Sequence, residues 1–172
     1  MRSVYKECPD FETEHFHIRL VQLEDAESLV GCYSDSKSQE LFNADNCIGD
    51  FRIQTINSMR ECLSAWLKAY EQEEFIRFAI VDKTLHKAVG TIEMFGGDIG
   101  ILRIDIMSSY EEELYLNEIV DTCIKNFYNL FSVKIIATKA IEKAQNRIKV
   151  LCEEGFCLSD FRGREHYYLR SR

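Results

Sequence analysis

Proline is nearly absent from this chain: Pro9 stands alone among 172 residues, and there are only eight glycines. That leaves no linker-like stretch. Fixed-period repeats and low-complexity runs are also missing, so solenoids and tail-like segments are excluded. No apolar run approaches the roughly eighteen residues of a membrane span, and no membrane partner is expected. Positive charge is scarce too. Lys and Arg number 21 against 29 Asp and Glu, a formal net charge of −8. Nucleic acid is therefore an unfavourable partner, because affinity for it comes from cations on phosphate. A cationic partner such as an amine suits the field better. Residues 1–10 are polar and unlike a secretory leader, so a soluble cytoplasmic protein is expected.

What is present is a core. Hydrophobic residues make up 46% and aromatic residues 12%, which excludes disorder. The length suits one domain, residues 1–172. Cys8, Cys32, Cys47, Cys62, Cys123, Cys152 and Cys157 are odd in number and form no Cys-x-x-Cys pair. Free thiols in a reducing compartment are expected, with Cys152 a core thiol. Zinc would need paired spacings, and no metal site is expected. His15 and His17 share a strand face without a third ligand at useful spacing, so they read as solvent-facing or hydrogen-bonded.

Hydrophobic periodicity gives the element order. His15–Val21 alternates and reads as a strand. A helix follows, begun by Glu24 and capped by Asp25, with Leu23, Ala26, Leu29, Val30 and Tyr33 as its stripe. Residues 34–50 lack a clean period and include a polar turn-rich segment, Asn43–Cys47, of the kind that often lines sites. Ile56, Met59, Leu63, Trp66, Leu67 and Tyr70 predict a helix over 55–72, with Trp66 a core anchor. Phe75–Val81, Ala88–Phe95 and Gly100–Met107 are three strands in succession, an antiparallel meander. After Tyr110 comes the clearest helix, with Leu116, Ile119, Val120, Cys123, Ile124, Phe127 and Phe131 as its stripe. A strand at Val133–Thr138 and a helix carrying Ile141, Ala144, Ile148 and Leu151 follow. Gly155 stops that helix as a left-handed cap. Strands at Phe156–Leu158 and Glu165–Leu169 close the chain. The fold class is α+β: a mixed, mostly antiparallel sheet of six to seven strands with about four helices.

Four segments in this order resemble the GNAT N-acetyltransferase superfamily, in the branch of the ribosomal-protein acetyltransferases. They are His17–Leu20 with Glu24–Ala26, Phe78–Lys83 with Val89–Ile92, Tyr110–Phe127, and Arg147–Phe156 ending in Glu-Glu-Gly-Phe. The resemblance spans nearly the whole chain. It implies a sheet splayed at its centre and acetyl transfer from acetyl-CoA to a primary amine, on a small molecule or a protein N-terminus. It also implies pantetheine lying along the backbone of Ile106, Met107 and Ser108.

The same resemblance places the loop that wraps the pyrophosphate at Glu111–Leu116, with Leu114, Tyr115 and Leu116 against the cofactor. Here Glu111, Glu112, Glu113, Leu114 and Leu116 stand where the family has a basic or amide residue and small residues. One glutamate about 7 Å from a phosphate repels it by roughly 2 kcal/mol at an effective dielectric near 20. The helix end returns only about 0.3–1 kcal/mol. Three glutamates also suit a first helical turn with no ligand at all. The family's asparagine on the next helix falls at Ala144, with Asn146 nearby, and its tyrosine falls at Leu151.

Amine acetylation needs a proton acceptor. Glu93 and Asp105 lie in apolar strands, where an acid is costly unless exposed or paired. Arg103 shares a face with Asp105 and offers neutralisation. Tyr110 is the aromatic acid nearest the splay. Two functions are therefore expected as alternatives. One is an N-acetyltransferase with Glu93, Asp105 and Tyr110 as catalytic groups. The other is a catalytically silent GNAT-fold module, in which a side chain such as Leu114, Tyr115 or Leu116 fills the gap between the splayed strands. A small-molecule or peptide amine is the expected partner, and a homodimer is left open.

Overall fold

The computed structural model describes residues 4–43, 45 and 52–172. Its strands are β1 (Phe11–Glu12), β2 (Phe16–Leu20), β3 (Ile76–Asp82), β4 (Lys87–Phe95), β5 (Gly100–Ile106), β6 (Ile135–Lys139), β7 (Cys157–Phe161) and β8 (Arg164–Ser171). They form one sheet in the order β1-β2-β3-β4-β5-β6-β8-β7. Every described pairing is antiparallel except β5 with β6. The helices are α1 (Ala26–Ser34), α2 (Ser36–Gln39), α3 (Ile56–Glu71), α4 (Glu113–Leu130) and α5 (Gln145–Glu153). Eight strands and five helices exceed the sequence expectation by β1 and α2. Two residues of edge strand and a single helical turn are too short to show a period.

Alternation divides the sheet into two faces. Ile76, Phe78 and Ile80 of β3, Ile92 and Met94 of β4, and Leu102, Ile104 and Ile106 of β5 lie on one face, under α4. Leu116, Ile119, Val120, Cys123 and Phe127 of α4 are fully buried there, worth about 1.5–3 kcal/mol apiece. α1 and α3 cover the other face through Leu29, Cys32, Tyr33, Met59, Leu63 and Trp66. Thr55 starts α3 by accepting from the Ser58 amide at 3.1 Å. Gly155 ends α5 with φ of +83°, the left-handed cap expected of it. At Gly90 the backbone of β5 comes so close that a Cβ would overlap the Asp105 carbonyl oxygen.

Two local expectations are corrected. Asp25 does not cap α1 with its side chain. A 3-10 turn at Leu23–Asp25 precedes the helix, and the Asp25 carboxylate accepts from the Gln22 amide at 2.8 Å and forks with Arg19 at 2.9 and 2.7 Å. Cys152 is exposed rather than a core thiol, as is Cys157, because Leu151 and Val150 supply the buried face of α5. The six described cysteines are free; Cys47 lies outside the described residues. Among the described residues no helix is long and apolar enough to cross a membrane.

Candidate functional site

The sheet comes apart at Leu102. β5 and β6 pair through Gly100↔Ile136, Ile101↔Ala137 and Leu102↔Thr138, and then pairing stops. Arg103–Ile106 keep β4 on one side and have no strand on the other. The Met107 amide donates to the Val89 carbonyl at 2.9 Å, toward β4. Strand alternation therefore turns the polar backbone of Ile104 and Ile106 toward the gap. At its mouth the Ser108 amide donates to Ser38 Oγ at 2.7 Å, and the Ser108 hydroxyl donates to Asp35 Oδ2 at 2.7 Å. The Ser108 and Ser38 hydroxyls hold the Asp35 carboxyl down at about 2. They also tie the start of α2 to the end of β5.

On the α1–α3 face of the sheet, charge runs across three strands. The register sets Arg77 opposite Glu93 and Glu93 opposite Arg103. Glu93 accepts from Arg77 Nη2 at 2.5 Å through one oxygen and from Arg103 Nη1 at 2.9 Å through the other. Arg77 Nη1 reaches across Thr91 to Asp105 Oδ2 at 3.0 Å, and the Tyr33 hydroxyl donates to that same oxygen at 2.9 Å. Trp66 lies over the Arg77 guanidinium at 4.4 Å, so it is a cation–π partner as well as a core anchor. Arg77, Glu93, Arg103 and Asp105 are all buried and sum to zero charge. This meets the condition for keeping ions in a dry interior. Arg103 and Asp105 do not neutralise each other as their shared face suggested; each pairs across the sheet instead. Asp105 Oδ1 and Arg77 Nε are buried without a hydrogen-bond partner among the described residues.

Tyr110 lies away from these acids, on the α4 face. Its ring packs on Phe16 and Tyr115, and its hydroxyl donates to Asp82 Oδ2 at 2.8 Å. Burial and that carboxylate push its phenol up, which keeps the proton on oxygen. Leu114, Tyr115 and Leu116 scatter around the first turn of α4. Leu114 is exposed, Tyr115 packs edge-on against His15, and Leu116 is fully buried in the core.

The glutamates before α4 are not facing an empty anion site. Glu111 takes a fork from Arg147, Nε and Nη2 each at 2.7 Å, and Glu113 takes Lys149 at 2.5 Å. Arg147 Nη1 donates to the Ile104 carbonyl at 2.8 Å, inside the gap. Asn146 Nδ2 donates to the Glu111 carbonyl at 2.9 Å, so this residue does sit at the loop. Arg147 thus reaches into the gap, and Leu116 is buried in the same cluster as Ile104 and Ile106.

Beyond the charged ladder lies a polar cleft of about 540 Å3, lined by Asp45, Lys139, Gly163, Arg164, Glu165 and His166. Asp45 joins it to the ladder. Its carbonyl accepts from Arg103 Nη2, and its carboxylate accepts from Lys139 at 2.9 Å and the Tyr167 hydroxyl at 3.0 Å. Those donors hold the Asp45 carboxyl below its ordinary value against the opposing effect of burial. Of the polar segment Asn43–Cys47, Asn43 and Asp45 both reach Tyr167 on β8; residues 44, 46 and 47 lie outside the described residues. On the far edge His15 and His17 are hydrogen-bonded, to Glu118 and Asp10 respectively. Tertiary packing also brings Glu14 and Glu118 to His15, within 4.8 Å of one another, a proximity that sequence spacing does not show.

Several solved structures share this fold. A ribosomal-protein-S5-alanine acetyltransferase from Vibrio fischeri superposes with a TM-score of 0.74 at 17% identity, over 95% of this chain and 96% of that one. A GNAT-family acetyltransferase from Bacillus anthracis gives 0.71 at 15%, over 95% and 98%. RimJ from Mycobacterium smegmatis, solved with a coenzyme A disulfide, gives 0.72 at 12%, over 91% and 81%. The chain has the GNAT fold. No family profile matches the sequence, and no curated protein matches it either.

The GNAT fold makes acetyl-CoA the cofactor to test against these residues. Arg147 holds the Ile104 carbonyl and Ser38 holds the Ser108 amide, while the Met107 amide faces β4 rather than the gap. The cations near the loop, Arg147 and Lys149, are each paired with one of its glutamates. Sequence reasoning singled out Glu93 and Asp105 but missed their partners. Arg77 gave one signal, a lone cation in the apolar run Ile76–Val81. Tyr33 read as part of a helical stripe, and Arg147 entered only as the first residue of the last segment of the resemblance.

Proposed function

We propose that this chain is a non-catalytic GNAT-fold binding module for an amine-bearing ligand. The observation that carries the reading is the enclosure of Glu93: it is 4% exposed, and each of its oxygens already accepts from a buried guanidinium group, so an incoming amine has no open path to it. Protonating it would leave Arg77 and Arg103 side by side in a dry interior with their shared anion gone. Asp105 is held at Oδ2 by Arg77 and Tyr33 with its Oδ1 buried, and the Tyr110 hydroxyl donates a hydrogen bond to Asp82 on the other face of the sheet. Proton transfer to and from reacting atoms needs groups within hydrogen-bond reach of them. The ligand side is the open polar cleft beside Asp45, where the exposed Glu165 offers a carboxylate to an amine while Asp45 is already held by Lys139 and Tyr167.

The test is thiol release from acetyl-CoA over a panel of primary amines, run beside calorimetric titration of amino acids and short peptides. Thiol release no faster than the protein-free blank, together with saturable binding of an amine, is the expected result. Turnover that disappears in Glu93→Gln while the protein stays folded would overturn the proposal.

The second reading is an N-acetyltransferase acting on a primary amine. Two observations favour it: solved structures of the same fold are acetyltransferases, some holding coenzyme A or acetyl-CoA, and the pairing of β5 with β6 ends at Leu102↔Thr138, which leaves the splay that the fold uses for a pantetheine arm.

A further inference from the structure

One side chain, with its counter-ion, reaches into the splay. Arg147 leaves the first turn of α5 and runs into the gap between β5 and β6, where it is only 3% exposed. Three of its nitrogens are used: Nη1 on the open edge of β5 at Ile104, and Nε and Nη2 as a fork on Glu111. Asn146 holds the Glu111 backbone, and Lys149 with Glu113 pins the next turn of the loop. A planar fork on a carboxylate is also the geometry with which arginine grips phosphate.

We propose that Glu111 is the resident ligand of an anion site built around Arg147, and that the pair stands in for an external phosphate-bearing ligand. Arg147 covers the strand edge that a cofactor arm would pair with, and Glu111 covers Arg147. The guanidinium is buried and must have an anion. A carboxylate on the same chain supplies one without the translational cost that a free ligand bears. An external phosphate must therefore displace Glu111 before it can bind. The inference deepens the non-catalytic reading by naming what closes the cofactor side.

The experiment is titration of the intact protein with inorganic pyrophosphate and, separately, with coenzyme A. It compares wild type, Glu111→Gln, Glu111→Ala and the double variant Glu111→Ala with Arg147→Met. Wild type should show no saturable binding of either up to millimolar concentrations. Either single variant should bind pyrophosphate at least about tenfold more tightly than wild type. The double variant should lose that gain. Wild type binding pyrophosphate as well as the Glu111 variants overturns the inference, and so does a gain that survives loss of Arg147. If both Glu111 variants fail to fold, the wild-type arm still decides, since tight pyrophosphate or coenzyme A binding there refutes the resident-ligand idea. The two proposals fail separately. Amine acetylation by wild type ends the non-catalytic reading, whereas pyrophosphate binding without turnover ends only this one.

Discussion

Arg77→Met should cost this protein a large part of its stability. The side chain is 1% exposed and is the counter-ion of both Glu93 and Asp105. After the substitution Glu93 keeps Arg103, while Asp105 keeps only the Tyr33 hydroxyl among its described hydrogen bonds. At an effective dielectric near 20, a pair 3.0 Å apart attracts by about 5 kcal/mol before desolvation is counted. Breaking a buried pair from one side costs about 3–5 kcal/mol, because the remaining charge is stranded. A domain of this size has about 5–15 kcal/mol in all. With a urea slope of about 2 kcal/mol/M, the unfolding midpoint should fall by about 1.5–2.5 M. Trp66 stacks on the lost guanidinium, so its fluorescence gives the transition and should itself shift in the native state. The double variant Arg77→Met with Asp105→Asn should recover about 0.5–3 kcal/mol of the loss, the range found for directly contacting groups. A midpoint shift under about 0.5 M at unchanged slope would refute the view that this ladder is a closed set of obligatory pairs.

Tyr33→Phe removes the other donor to Asp105 Oδ2 and should cost about 1–3 kcal/mol by the same denaturation assay. His15, bonded to Glu118, should titrate above the ordinary histidine value of about 6.5 in an NMR experiment, and Glu118→Gln should bring it back. Because that folded value is raised, its stabilisation is complete below about 6.5 and fades as pH rises through the folded value. Asp35 runs the opposite way: its depressed carboxyl contributes stability above about 4, which is lost as pH falls toward about 2. Ser108→Ala, which removes the hydroxyl with the largest effect on Asp35, should narrow that acid window. Cys152 and Cys157 should react first with a thiol reagent, and Cys123, buried and pushed up by desolvation, only on unfolding.

Most of the sheet and all the long helices are legible in the sequence because their signals are local. The stripe from Leu116 to Phe127 has a period that no strand shares, and Phe75–Phe95 holds two short runs of β-formers on either side of a polar turn. β5 against β6 is a different case. Nothing within Gly100–Ile106 announces that its parallel partner leaves after Leu102, because the splay depends on where β6, a separate segment, runs. The buried acids were visible as anomalies in apolar strands, but their partners were not. Pairing Glu93 with Arg77 and Arg103 requires the register of two strand pairs at once, and a shift of one residue would have pointed these side chains to the opposite face.

The loop at Glu111–Glu113 shows why a local reading of charge misleads at such a site. Three consecutive glutamates at a helix start imply repulsion of any phosphate if they are considered alone. Glu111 and Glu113 each find a cation 36 residues further on, Arg147 and Lys149, spaced two apart on both sides of the interface. Two of the three glutamates are therefore neutralised and Glu112 is exposed, so on the resident-ligand proposal occupancy, more than repulsion, opposes a phosphate there. The guanidinium that suits a phosphate already holds a carboxylate in the same fork geometry, and it lies in the gap that a cofactor arm would enter. Repulsion and occupancy differ in their response to salt. Screening weakens repulsion between exposed charges, so added salt would help a repelled phosphate bind. Displacing a buried, forked carboxylate gains little from screening, so coenzyme A binding by wild type should stay absent from low to moderate salt. Binding that strengthens with salt would restore repulsion as the controlling effect.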